Sequence, residues 1–188
     1  GSGGLVSKQT TDNSYGSSEY DKQKGRLSHT VVTAERPGQS TKTKQSSFSY
    51  FSSGVHRGLL KTETVQGNQS QQLTSTHSYD RYGNRTRTVT SGWNGQSTTN
   101  RYSLRKEYDS SGRFVNKSYQ QYPKIGERLT SRVIGRNAYG SPTVVEDSLG
   151  NRAYSYYSPR GRQYFSHSDA GGWQKTQLSR SSSQCPNG

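Results

Sequence analysis

Tyr79-Asp80-Arg81-Tyr82-Gly83-Asn84 is followed 29 residues later by Tyr108-Asp109-Ser110-Ser111-Gly112-Arg113. An aspartate at the first position of a turn accepts hydrogen bonds from backbone N–H groups further along. A glycine three residues on takes the positive φ that sends the chain back into the next strand. Asn137-Ala138-Tyr139-Gly140 repeats the spacing without its aspartate, 28 residues after Gly112. Beyond it, Gly140, Gly150, Gly161 and Gly171 stand 10 or 11 residues apart. That period is one short strand plus one tight turn.

The same pairing runs through the whole chain. All six aspartates precede a glycine by three or four residues: Asp12/Gly16, Asp21/Gly25, Asp80/Gly83, Asp109/Gly112, Asp147/Gly150 and Asp169/Gly172. Each carboxylate is therefore expected to bend the backbone, which leaves few for acid–base chemistry. Between the turns lie Thr, Ser, Tyr, Val and Arg in alternation, the composition of strands. Arg85 to Thr90 places three threonines on one face; Leu73, Ser75, His77 and Tyr79 share a face, as do Tyr154 and Tyr156. Thr30 to Ala34 and Thr143 to Val145 read as further strands, with Trp93-Asn94-Gly95 as a turn. The best helical window is Arg101 to Tyr108, RYSLRKEY, which has good helix formers and no cap. The expected fold class is all-β: antiparallel β-hairpin repeats forming an extended, curved sheet.

Composition bounds the rest. Leu, Ile, Val and Phe together number 25 of 188 residues, low enough that such a chain borders on disorder. Fourteen tyrosines and two tryptophans stand against that reading, since aromatic rings bury large areas and favour strands. A thin aromatic sheet is expected in place of a compact ball. The net charge of +14 permits contact with polyanions, but the basic residues are scattered singly. No apolar run reaches membrane-spanning length, and no signal peptide is visible. Cys185 has no intramolecular partner and lies in a Ser-rich tail.

The phrases Gly58-Leu59-Leu60-Lys61-Thr62-Glu63-Thr64-Val65, SYDRYGNRTRTVT, EYDSSGRFVNKS and RNAYGSPTVVEDSLGNRAYSYYSPRGR together resemble the YD-repeat, or RHS-repeat, family. The pattern is Tyr-Asp, two variable residues, Gly, then Arg or Asn, flanked by strands. The resemblance runs from about Gly58 to Gln177. Upstream, Tyr20-Asp21 reaches Gly25 with one extra residue, and at Tyr157-Ser158-Pro159-Arg160-Gly161 serine replaces aspartate. The resemblance implies a β-ribbon that winds into a hollow shell, part of a bacterial toxin container or cell-surface protein. It also implies secretion or surface display, with neighbouring repeats of the same parent chain and an enclosed C-terminal effector domain as partners. The expected division is 1–4 a cloning scar or linker, 5–57 a degenerate repeat region, 58–178 the repeats and 179–188 a flexible tail. Both ends read as cut from something longer.

The structural turn residues are thus Tyr20, Asp21, Gly25, Tyr79, Asp80, Gly83, Tyr108, Asp109, Gly112, Asp147, Gly150 and Gly161. Tyr79, Tyr108 and Tyr157 are expected to pack on neighbouring strands and pin the register. No catalytic residue, metal site or cofactor is expected. His29, His56, His77 and His167 are far apart, and nucleophile elbows, phosphate loops and zincin motifs are absent. The competing reading is a binding module in which Arg101, Tyr102, Arg105 and Lys106 grip an acidic glycan or nucleic acid; no specific nucleic-acid partner is expected. Trp93 and Trp173, each beside glycine, are further candidates for stacking on a sugar.

Overall fold

A computed structural model of the chain describes residues 7–16, 21, 24–66, 72–93, 98–123 and 125–170, with backbone alone at 93 and 98–101. The described residues form twelve β-strands: β1 (Lys8–Tyr15), β2 (Leu27–Glu35), β3 (Lys42–Tyr50), β4 (Leu60–Val65), β5 (Leu73–Tyr79), β6 (Arg85–Trp93), β7 (Thr98–Tyr108), β8 (Val115–Tyr122), β9 (Gly126–Arg136), β10 (Pro142–Asp147), β11 (Arg152–Tyr157) and β12 (Gln163–Ser168). Each strand hydrogen-bonds the next in chain order, giving one open, all-antiparallel sheet. The fold is all-β.

By internal contacts the chain separates into two units. One draws on Gly1–Arg105 and Gln121–Gly126, the other on Lys106–Gln120 and Glu127–Gly188. No hydrophobic side chain is buried among the described residues of either; the side chains that are buried are the polar His77, Thr90, Ser103 and Glu146. A sheet with no apolar layer must be held by its backbone ladder and by contacts between neighbouring side chains.

In the first unit those contacts are hydroxyl ladders. Ser49 bonds Thr62 across β3 and β4, Thr64 bonds Thr74 at 3.1 Å, and Ser75 bonds Thr90 at 3.2 Å. His77 Nδ1 meets Thr88 Oγ1 at 3.1 Å, and Thr30 Oγ1 donates to Asn13 Oδ1 at 3.0 Å. Thr86, Thr88 and Thr90 lie on the more covered side of β6, with Arg85 and Arg87 alternating outward. Threonine serves this sheet because its branched Cβ suits the pleat and its hydroxyl reaches across 5 Å or so. In the second unit an ion network does similar work: Glu146 of β10 accepts from Arg132 of β9 at 2.6 Å and from Arg152 of β11 at 3.2 Å.

The structure settles the one helical window and corrects one expected turn. The window Arg101 to Tyr108 is not a helix but most of β7; its Tyr-Ser-Leu-Arg alternation pairs with β6, and cross-strand pairing outweighs helix propensity. Asp12 forms no turn. It stands within β1 opposite Val31, because the reversal towards β2 begins only after Tyr15, where Gly16 N–H donates to the Arg26 carbonyl at 2.9 Å. Trp93 is the last residue of β6, paired with Thr98. Asn94-Gly95, Trp173 and Tyr20 lie outside the described residues.

Candidate functional site

The unit that recurs in this chain is a turn together with a latch. At the end of β5, Asp80 Oδ1 accepts the N–H groups of Tyr82 and Asn84, both at 2.9 Å, and Oδ2 accepts the Asn84 side-chain amide at 3.0 Å. The Gly83 N–H closes on the Asp80 carbonyl at 3.0 Å, with Gly83 at φ +85°. Asp109 repeats this with Arg113 N–H at 2.7 Å, Phe114 N–H at 3.1 Å and the Ser111 hydroxyl, and Gly112 stands at φ +71°. Asp147 takes Leu149 and Asn151 N–H at 2.8 and 3.0 Å, with Gly150 at φ +88°.

Two turns make the same bend without a carboxylate. Asn137 Oδ1 accepts the Tyr139 and Ser141 N–H groups at 3.0 Å, with Gly140 at φ +83°. Ser158 Oγ accepts the Arg162 N–H at 3.2 Å, and Gly161 stands at φ +77°. An oxygen on the first side chain is therefore the chemical requirement, whether it comes from Asp, Asn or Ser. Asp21 works differently: it pairs with the Arg26 guanidinium at 3.0 Å, and Gly25 follows at φ +61°.

The latch sits one residue before the turn. Tyr50, Tyr79 and Tyr157 are the last residues of β3, β5 and β11, and each hydroxyl donates to the carbonyl of the first residue of the preceding strand. The distances are 2.8 Å to Leu27, 2.7 Å to Leu60 and 2.9 Å to Pro142. At the end of β9, Arg136 takes the place of tyrosine, donating to the carbonyl of Val115, the first residue of β8. Every one of these residues is preceded by a register shift against the following strand. The shifts leave Lys61, Thr86, Thr143 and Tyr164, each the second residue of its strand, without an opposite number. Tyr15 and Ser28 repeat the shift between β1 and β2. A bulge of this kind turns the strand end and re-aims its side chain. So one side of the strand end is bulged while the other is latched, which fixes the pairing of three consecutive strands.

Removing a latch hydroxyl leaves a carbonyl without its partner. Tyr79→Phe and Tyr157→Phe are each expected to lower unfolding stability by about 1 kcal/mol, read from urea denaturation by circular dichroism. Variants that unfold with the parent would show that the hydroxyls hold nothing.

The turn carboxylates have a pH signature. Partial burial pushes Asp80 up, but hydrogen bonds from the Asn84 side chain and from backbone N–H groups outweigh it and hold the group below its ordinary 3.8. The Ser111 hydroxyl and the Phe114 N–H lower Asp109, and the Asn151 amide leads the lowering of Asp147. For a carboxylate depressed in the folded state, the stabilisation is present above 3.8 and is lost as pH falls below it. His77 is shifted in the same direction for a different reason. Burial, then the Arg85 charge, lowers it from 6.5, with Glu63 opposing. Its unfolded form takes up a proton first, so stability falls as pH drops below 6.5. His77→Gln is expected to flatten the upper limb of melting temperature against pH. The triple change Asp80→Asn, Asp109→Asn, Asp147→Asn is expected to flatten the lower limb, since Asn137 already shows an amide in this position. Unaltered limbs would remove these groups from the account.

The basic–aromatic group is divided between the faces of β7, with Tyr102 and Lys106 on one and Arg105 on the other. Tyr102 lies opposite Thr90 and Arg105 opposite Arg87, so they project to different faces of β7, and Lys106 alternates again from Arg105. The Arg101 side chain lies outside the described residues.

No family model matches the sequence, and no curated protein matches it. Among solved structures, the chain is similar to one described as "Crystal Structure of TcdB2-TccC3-Cdc42", with a TM-score of 0.51 and 12% identity. The match covers 85% of this chain and 9% of that one. At that identity the likeness is one of fold: this chain folds as a small part of that chain does. The sequence reading missed Tyr50 and Arg136. Tyr50 is followed by Phe51 and not by an aspartate, and Arg136 supplies with a guanidinium the donor that tyrosine supplies elsewhere. The signal available for both was position, one residue before a reversal and 23 or 21 residues after the carbonyl they reach.

Proposed function

We propose that this chain is a length of wall in an RHS-type β-shell of a bacterial toxin or surface protein, a structural element and not an enzyme. The observation that carries the reading is the recurrence of latch, turn and bulge at the ends of β3, β5, β9 and β11. It is a device for adding strands indefinitely in chain order while holding their register. Four carboxylates are engaged in this geometry. Asp80, Asp109 and Asp147 have their carboxylates filled with backbone donors, and Glu146 is held between two arginines. The fold shared with part of the TcdB2-TccC3-Cdc42 structure supports the same architecture. No helix among the described residues is long and apolar enough to cross a membrane. The role implies a secreted or surface location, with flanking repeats as partners and an effector domain within the wall.

The test is protease protection in the complete parent chain. If the parent encloses an effector, that domain resists digestion while the wall is intact. It becomes accessible when register is broken by combining Tyr79→Phe, Arg136→Ala and Tyr157→Phe. Equal digestion of the effector with and without those changes, or a parent that lacks any domain to enclose, overturns the container reading.

A further inference from the structure

The second unit carries a cleft that the wall does not require. It has a volume of about 440 Å³ and lies between two turns separated by the β10–β11 hairpin, Asn137-Ala138-Tyr139 on one side and Tyr157-Ser158 on the other. That is within the size range of sites for small ligands. Its lining includes Tyr139, Tyr154, Tyr156 and Tyr164. Three of these keep much of their surface in water: Tyr139 is 65% exposed, Tyr164 53% and Tyr156 41%.

Three of the four rings are held by contacts. The Tyr139 hydroxyl donates to the Pro159 carbonyl at 2.7 Å, tying one turn to the other across the cleft. Tyr154 stacks on His167 at 4.6 Å with the planes 11° apart, and Tyr156 lies against Phe165 at 5.4 Å. Tyr164 is the bulged second residue of β12, so the bulge that serves the latch also turns this ring out of the strand's alternation. Pre-set aromatic faces bind without a large ordering cost.

The lining is also uncharged. Besides tyrosines it offers Asn137, Thr143, Ser155 and Ser158, and no acidic or basic side chain enters it. In a chain with a net charge of +14, a site built for phosphate or sulfate would draw on arginine. This one does not. Ring faces flanked by hydroxyls and an amide complement a ligand whose apolar C–H faces alternate with hydroxyl rims. We infer that the cleft between the 137–140 and 158–161 turns binds a neutral oligosaccharide, stacked on Tyr156 and Tyr164.

This differs from the basic–aromatic grip on β7 in place and in chemistry, and it does not rest on the shell reading. The test is saturation-transfer NMR and tyrosine-fluorescence titration of the full chain with maltotriose, cellotriose and chitotriose. A heparin-derived tetrasaccharide and decaproline are run alongside. Saturable binding of at least one neutral trisaccharide is expected. Loss of one stacking ring should weaken it about tenfold in Tyr156→Ala and in Tyr164→Ala. Tyr164 contributes no latch, so Tyr164→Ala keeps the test valid if Tyr156→Ala disturbs the sheet. Tyr82→Ala, an exposed tyrosine of the other unit, should bind as the parent does. The inference is overturned if no neutral trisaccharide binds at millimolar concentration. It is equally overturned if only the sulfated probe or decaproline binds, or if binding is the same in all variants while the strand signal is intact.

Discussion

Gly140→Ala is expected to unfold this chain's second unit more readily than any other single methyl addition at a turn, by roughly 3 kcal/mol. Two costs combine at this position. Gly140 stands at φ +83°, where an L side chain brings about 1–2 kcal/mol of strain. A Cβ there would also lie 2.1 Å from Phe114 Cζ and 2.3 Å from Cε1, well inside contact distance. The ring cannot simply step aside, because the Arg136 guanidinium lies over it at 4.9 Å and is itself bonded to the Gly140 carbonyl. Gly150 is the control. Its φ of +88° is as left-handed, yet nothing lies within 4 Å of an added Cβ. Gly150→Ala should therefore show the backbone cost alone, about 1 kcal/mol. Urea melts of the two variants separate the effects, and equal losses would mean that Phe114 does not pack beneath Gly140.

The contrast between those two glycines marks what the sequence can disclose. Turn positions were legible, because an oxygen-bearing side chain three residues before a glycine has a direct mechanical meaning. Asp80, Asp109, Asp147 and their glycines stand in turns of the expected geometry. Strand composition was legible as well, and the fold is all-β. The spacing misled at Asp12, where the glycine four residues on belongs to a longer reversal. It was silent at Arg136, since nothing in a linear string says that arginine does there what tyrosine does at three other strand ends. The bulges were hidden for a further reason. One extra residue, such as Thr86 or Thr143, keeps the look of a strand residue while shifting everything that faces it. The cleft could not be read at all: Tyr139, Tyr156 and Tyr164 become neighbours only through two turns and a bulge.

The role of Arg136 can be tested by asking whether it is a latch or an incidental surface charge. It donates to two backbone carbonyls, at Gly140 and at Val115, and covers the Phe114 ring. Hydrogen bonds from a charged donor contribute about 1.5–3 kcal/mol each, and a ring contact adds to them. Arg136→Ala is thus expected to lower unfolding stability by about 3 kcal/mol, a large share of what a small domain commands. Arg136→Lys should recover only part of this, because one ammonium on a flexible stem does not span two carbonyls as a planar fork does. Arg136→Tyr is the informative variant. If the latch is a property of position, the tyrosine should reach the Val115 carbonyl as Tyr79 reaches Leu60, and regain more stability than lysine does. Should alanine at 136 cost less than about 0.5 kcal/mol, the range of ordinary surface substitutions, Arg136 would be a bystander. The latch at the end of β9 would then have to be abandoned.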